Sequence, residues 1–159
     1  MHFYKIAGTL IVIFSGFMGA YTMNSAATKK CAQIEALIEL LRYTRIQIEC
    51  FALPASEIIS SLDRKLLWRC GLNKDRRFND FSELFNALVI SDAEAAKIIK
   101  NFASGFGRGY REEQLAECDY YISVLCEVRQ KLYGELPNRK KVNSVLCISS
   151  ALGAVVLLL

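Results

Sequence analysis

Residues 32–51, AQIEALIELLRYTRIQIECF, decide the fold class. Ile34, Leu37, Ile38, Leu41 and Ile48 recur at intervals of three, four and seven, while Glu35, Glu39, Arg42, Arg45 and Glu49 occupy the remaining positions. Apolar residues at that spacing share one face of a helix, whereas a half-buried strand would need strict alternation. The stretch therefore predicts an amphipathic helix that needs partners for its apolar stripe.

Reading toward the C-terminus, Leu53-Pro54 marks a corner, because proline suits the first turn of a helix and not its interior. A second helix is expected from Pro54, with Ile58, Ile59, Leu62 and Leu66 on its apolar face and an end near Gly71. Residues 73–77 read as a loop. Phe78, Phe81, Leu84, Phe85 and Leu88 mark a third helix with Asn79 or Asp80 as its cap, and Trp68 is expected in the core with these phenylalanines. Ser91 followed three residues later by Glu94 matches a capping box, which starts a fourth helix at Asp92 carrying Ala95, Ile98, Ile99 and Phe102. A fifth, over about 110–136, opens on Glu112 and Glu113, whose charges favour a helix N-terminus, and presents Leu115, Ile122, Leu125, Val128 and Leu132. No stretch alternates with period two, so the middle of the chain is predicted to be an all-α helical bundle.

The ends differ sharply from that middle. Residues 6–28 and 142–159 hold no charged side chain, so all 16 acidic residues and all but Lys5 of the 20 Lys and Arg fall between them. The run 6–23, IAGTLIVIFSGFMGAYTM, and the run 142–159, VNSVLCISSALGAVVLLL, each reach about 27 Å as a helix, close to the hydrocarbon thickness of a bilayer. The expected organisation is an N-terminal transmembrane helix in 1–28, a helical domain in 29–141 and a C-terminal transmembrane helix in 142–159. Lys29, Lys30, Arg139, Lys140 and Lys141 flank the two runs on their inner sides, which by the positive-inside rule puts the central domain in the cytoplasm of a two-span cell-membrane protein. A cleaved signal peptide is the rival for the N-terminus, since Ser25-Ala26-Ala27 resembles a cleavage site, but the lysines that follow oppose translocation. Ser15 with Gly19, and Gly16 with Ala20, form overlapping small-xxx-small pairs that would let another helix approach closely.

The residues offer little chemistry. The central domain carries a nearly balanced charge, which gives no reason to expect a nucleic-acid partner. Six cysteines form no CxxC and the single histidine, His2, precedes the first apolar run, so neither a metal centre nor a cofactor is expected. Free, mostly buried thiols are expected instead, although an exported domain with disulfides would follow if the N-terminus were cleaved. Gly105-Phe106-Gly107-Arg108-Gly109 is glycine-rich, but without a preceding strand it reads as a turn between helices and not as a phosphate loop. Glu112, Glu113, Glu117 and Asp119 have no histidine or second carboxylate motif to complete an acid/base set. No catalytic residue is assigned. The candidate partner-binding residues are Arg108, Tyr110 and Arg111, because arginine and tyrosine are favoured at binding hot spots and this turn can project them from a rigid scaffold.

Over its whole length the chain resembles the stage III sporulation protein AB family, in the segments RYTRIQIECFALPASEII (42–59), SGFGRGYREEQL (104–115) and ELPNRKKVNSVLCISSALGAVVLLL (135–159). Near Arg108 and Tyr110 the family favours small or acidic residues, so that turn departs from it. The resemblance implies a membrane subunit of a secretion-like assembly between mother cell and forespore. It also implies a soluble domain similar to the cytoplasmic domains of the type II secretion platform protein, and an AAA-type secretion ATPase and other assembly subunits as partners. With no catalytic set in the residues, the expected function is a non-catalytic platform or adaptor; a membrane-tethered regulator or enzyme accessory is the alternative.

Overall fold

The computed structural model describes residues 2–51, 53–73, 76–107 and 109–158, and within these the side chains of 2–10, 12, 13, 55, 157 and 158 are left out. Among the described residues there are six α-helices and no strand: α1 (His2–Phe51), α2 (Ala55–Ser60), α3 (Arg64–Cys70), α4 (Phe81–Ala87), α5 (Ala93–Gly105) and α6 (Arg111–Leu158). The chain divides into two compact units, one of residues 1–29 with 132–159, the other of residues 30–131.

The second unit is the bundle. Its central element is the α1 segment read first, and Ile34, Leu37, Ile38 and Leu41 are buried as expected. Ala36, Leu40 and Thr44 are buried too, which widens the apolar stripe to more than half of the helix circumference. Thr44 meets the cost of burial by donating its hydroxyl to Leu40 O at 2.9 Å, one turn back. Neighbouring helices are fastened to this segment at its margins. Tyr43 OH donates to Ser61 Oγ at 3.0 Å, Arg69 on α3 pairs with Glu39 at 2.9 Å, and Arg45 pairs with Asp119 on α6 at 2.6 Å. An aromatic cluster joins α4, α5 and α6: Phe85 meets Phe102 edge-on at 5.3 Å, and Phe102 meets Tyr121 at the same separation. Such edge-to-face pairs add about 0.5–1.5 kcal/mol beyond the area they bury.

Gln33 is, with Thr44, a buried polar side chain of this core. Its Nε2 donates to Cys70 O at 2.9 Å and Val89 O at 2.8 Å, and its Oε1 accepts from Ser91 N at 2.9 Å. One side chain thus ties α1 to the end of α3 and to the entry of α5. Between those contacts Leu72 and Leu88 form an isolated antiparallel bridge.

Several expectations need correction. The single helix from Pro54 to Gly71 is two helices. Ser60 and Ser61 turn their hydroxyls back onto Glu57 O and Ile58 O, and the Asp63 carboxylate then accepts Lys65 N at 2.9 Å to begin α3 afresh. These local side-chain bonds compete with the continuing helix ladder. The cap of α5 is Asp92, whose carboxylate accepts from Glu94 N and Ala95 N, while Ser91 is occupied by Gln33. Trp68 is 60 % exposed and not in the core. The helix expected over 110–136 runs on through Pro137 to Leu158 as part of α6.

In the first unit the two terminal segments run antiparallel. A Cβ built on Gly16 would lie 2.8 Å from Ala151 Cβ and 3.1 Å from Cys147 O, so the absent side chain at Gly16 permits the approach. Two turns further along α1, Asn24 Nδ2 donates to Ser144 Oγ and Asn143 Nδ2 donates to Asn24 Oδ1, both at 3.4 Å. Among the described residues no helix is long and apolar enough to cross a membrane. The uncharged ends with described side chains are residues 14–28 and 142–156, which at about 1.5 Å per residue reach about 22 Å, short of the roughly 30 Å hydrocarbon core. The remainders of the two predicted spans, 6–23 and 142–159, fall partly on side chains outside those described.

Candidate partner-binding turn

The turn between α5 and α6 is shaped by local chemistry. Gly107 has φ +89°, in the left-handed region that glycine adopts without steric cost. Tyr110 is the N-cap of α6: its carbonyl accepts Gln114 N at 3.0 Å, and Glu113 reaches back so that Oε2 accepts Tyr110 N at 3.0 Å. That is the acidic half of a capping box, and it gives Glu113 a structural task. Gln114 Nε2 adds a bond to Gly109 O at 2.8 Å. The backbone beside Tyr110 is therefore held firmly while its ring is 84 % exposed.

Arg111 does not share that freedom. Its Nε donates to Ile48 O at 3.1 Å and its terminal amino group donates to Glu49 O. These are carbonyls of the last turn of α1, where four acceptors lack intrahelical partners and where α1 has no basic residue of its own. Arg111 supplies both the donors and the positive charge that the helix C-terminus favours. Arg108 lies outside the described residues. Of the three candidates the structure thus presents Tyr110 to solvent and joins Arg111 to α1.

Beside this latch, Arg45 spans Glu49 at 2.5 Å and Asp119 at 2.6 Å. Its pKa is raised above the ordinary arginine value, first by the hydrogen bond to Asp119 and then by that to Glu49. Asp119, considered above as part of an acidic cluster, is engaged here as an ion-pair partner. Among the described residues no group of three or more His, Cys, Asp or Glu is placed to hold a metal ion. All six cysteines are free thiols; Cys31, Cys70 and Cys118 are buried, and Cys50 is exposed at the end of α1. Burial pushes the thiols of Cys70 and Cys118 up to about 12, which keeps them protonated and unreactive at neutral pH.

Exposed aromatic side chains that the periodicity did not single out include Phe51 at the end of α1 and Trp68 on α3. For Trp68 a signal was available, since Leu66, Leu67 and Cys70 already fill the core-facing side of a helix only two turns long.

The pattern of the family described as stage III sporulation protein AB matches residues 5–159. No curated protein and no solved structure matches.

Proposed function

The chain belongs to the stage III sporulation protein AB family, and on that footing we propose that it is a non-catalytic platform subunit of a sporulation-stage membrane assembly. In this reading its two apolar ends form antiparallel spans and residues 30–131 dock a secretion-type AAA ATPase from the cytoplasmic side.

The observation that carries the reading is the arrangement of the terminal hairpin. Small residues, Gly16, Ala20 and Ala151, lie at the seam, while Phe14, Phe17, Tyr21, Leu146, Leu152 and Val156 are exposed. Water drives large apolar side chains inward. A lipid environment removes that drive and lets small residues bring helices together while large ones face outward. The full runs 6–23 and 142–159 have the length that spanning requires. Exposed Lys29 and the exposed trio Arg139, Lys140 and Lys141 suit anionic headgroups at the cytoplasmic face. The immobilised backbone under the exposed Tyr110 ring supports a docking role for the turn, because a preorganised aromatic side chain loses little entropy on binding.

Two measurements test this. Cysteines introduced at exposed positions of residues 30–131, in a background without the native cysteines, should resist a membrane-impermeant maleimide in intact cells and react after lysis. Isolation of the full chain from sporulating cells should recover an ATPase. Labelling without lysis would refute the orientation, and recovery of neither membrane nor ATPase would refute the platform role.

A further inference from the structure

Two weak links for a helix, Gly134 and Pro137, fall within one turn of α6. Pro137 brings no N–H to the helix ladder and its ring crowds the preceding turn, and glycine is the next poorest residue for a helix interior. Packing calls for neither. A Cβ on Gly134 would meet nothing within 4 Å, Pro137 is exposed, and among the described residues of 133–142 only Leu136 is buried. Local forces, and not neighbouring helices, therefore decide whether this turn stays helical.

One such force spans the proline. Glu135 Oε2 accepts from Arg139 Nε at 3.0 Å and from an Arg139 terminal amino group at 2.7 Å, an i,i+4 pair with Pro137 at its midpoint. Glu135 is the only acidic residue after Glu127, and Lys131, one turn before it, pairs with Glu94 instead. We propose that residues 133–139 form a joint in α6 that the Glu135–Arg139 pair holds closed and that an anionic lipid surface opens. Headgroup phosphates offer the Arg139 guanidinium equivalent acceptors, the adjacent Lys140 and Lys141 bring it to such a surface, and the same negative charge repels Glu135. Once the pair parts, the turn carrying Gly134 and Pro137 frays and α6 bends there. The trigger rests on the membrane reading of the apolar ends; the latch rests on the chain alone.

Amide hydrogen exchange of the full-length protein reads the joint, with residues 111–127 of α6 as the internal reference. In detergent, Glu135→Gln and Arg139→Gln should each lower the protection of residues 138–141 about twofold, the worth of an exposed i,i+4 pair. The double variant should be no less protected than either single one, since both remove the same interaction. Gly134→Ala should raise protection of the same amides about fourfold. In phosphatidylcholine vesicles the wild type should be well protected. In vesicles containing phosphatidylglycerol its protection should fall to that of Glu135→Gln, which should not itself respond to the lipid. Single variants without effect, a double variant showing the product of the single effects, or no gain from Gly134→Ala would overturn the latch. Equal wild-type protection in the two kinds of vesicle would overturn the switch. A chain that floats with neither would refute the spans, and with them the trigger, while the comparison in detergent still decides the latch.

Discussion

Gln33 and Gly71 meet so closely that a Cβ on Gly71 would lie 2.5 Å from Gln33 Nε2. Gly71 has φ +105° as the left-handed C-cap of α3, and its lack of a side chain lets Gln33 reach Cys70 O and Val89 O. Backbone conformation and a buried hydrogen-bond junction thus depend on the same residue.

Gly71→Ala should therefore destabilise residues 30–131 through both strain and collision, by about 2–4 kcal/mol. Gln33→Leu should cost a similar amount, since it strips partners from Ser91 N and two carbonyls at once. Urea denaturation of each variant and of the double variant measures this. The junction predicts non-additivity, so a double variant whose loss equals the sum of the single losses would argue against it.

Arg111 and Tyr110, although adjacent, should separate on substitution. Arg111→Ala removes the cap of α1 and should lower thermal stability by about 1 kcal/mol. Tyr110→Ala touches only an exposed ring and should leave stability within about 0.5 kcal/mol of wild type. If the turn contacts the ATPase, pull-down should fall with Tyr110→Ala while the melting curve stays in place. Retention of full ATPase binding by this variant would remove Tyr110 from the interface.

The antiparallel seam of the terminal hairpin can be read by cross-linking. A Cβ at Gly19 would lie 3.7 Å from Cys147 Sγ, so Gly19→Cys should form a disulfide with Cys147 under mild oxidation. Adding Gly16→Leu, which forces a side chain into Ala151, should reduce the yield. Gly153→Leu, with no neighbour within 4 Å, should not. Non-reducing electrophoresis with mass spectrometry of the linked peptides distinguishes these outcomes.

Buried thiols give the bundle an alkaline weakness. Cys70 and Cys118 ionise near 12 when folded, against an ordinary value of 9.0. Between those values the unfolded thiols lose protons that the folded ones keep. The unfolded state then binds fewer protons, and stability should fall as pH rises from about 9 toward about 12. Below about 9 both states are protonated and these groups contribute no slope. Replacement of both cysteines by alanine should flatten the dependence in urea melts, and an unchanged slope would assign it to other groups.

Much of the bundle was legible in residue order because its signals are local. The period of 32–51, a cap at Asp80, the start of a helix next to Asp92 and the end of α3 near Gly71 each arise within a few residues of chain. The break between α2 and α3 was equally local but weak, since Ser60, Ser61 and Asp63 favour it only by competing with a helix that the apolar spacing also supports.

What the sequence by itself determined was the helical class and the polar middle between apolar ends. Tertiary structure alone decided that Arg111 serves α1, that Gln33 joins α3 to α5, that Ala36, Leu40 and Thr44 are buried, and that Trp68 is exposed. A cap or a period is set by neighbours along the chain, whereas each of these assignments depends on groups brought together only by packing. Arg111 finds the end of α1 62 positions away, and a side chain is buried or exposed according to how many helices come to surround its own.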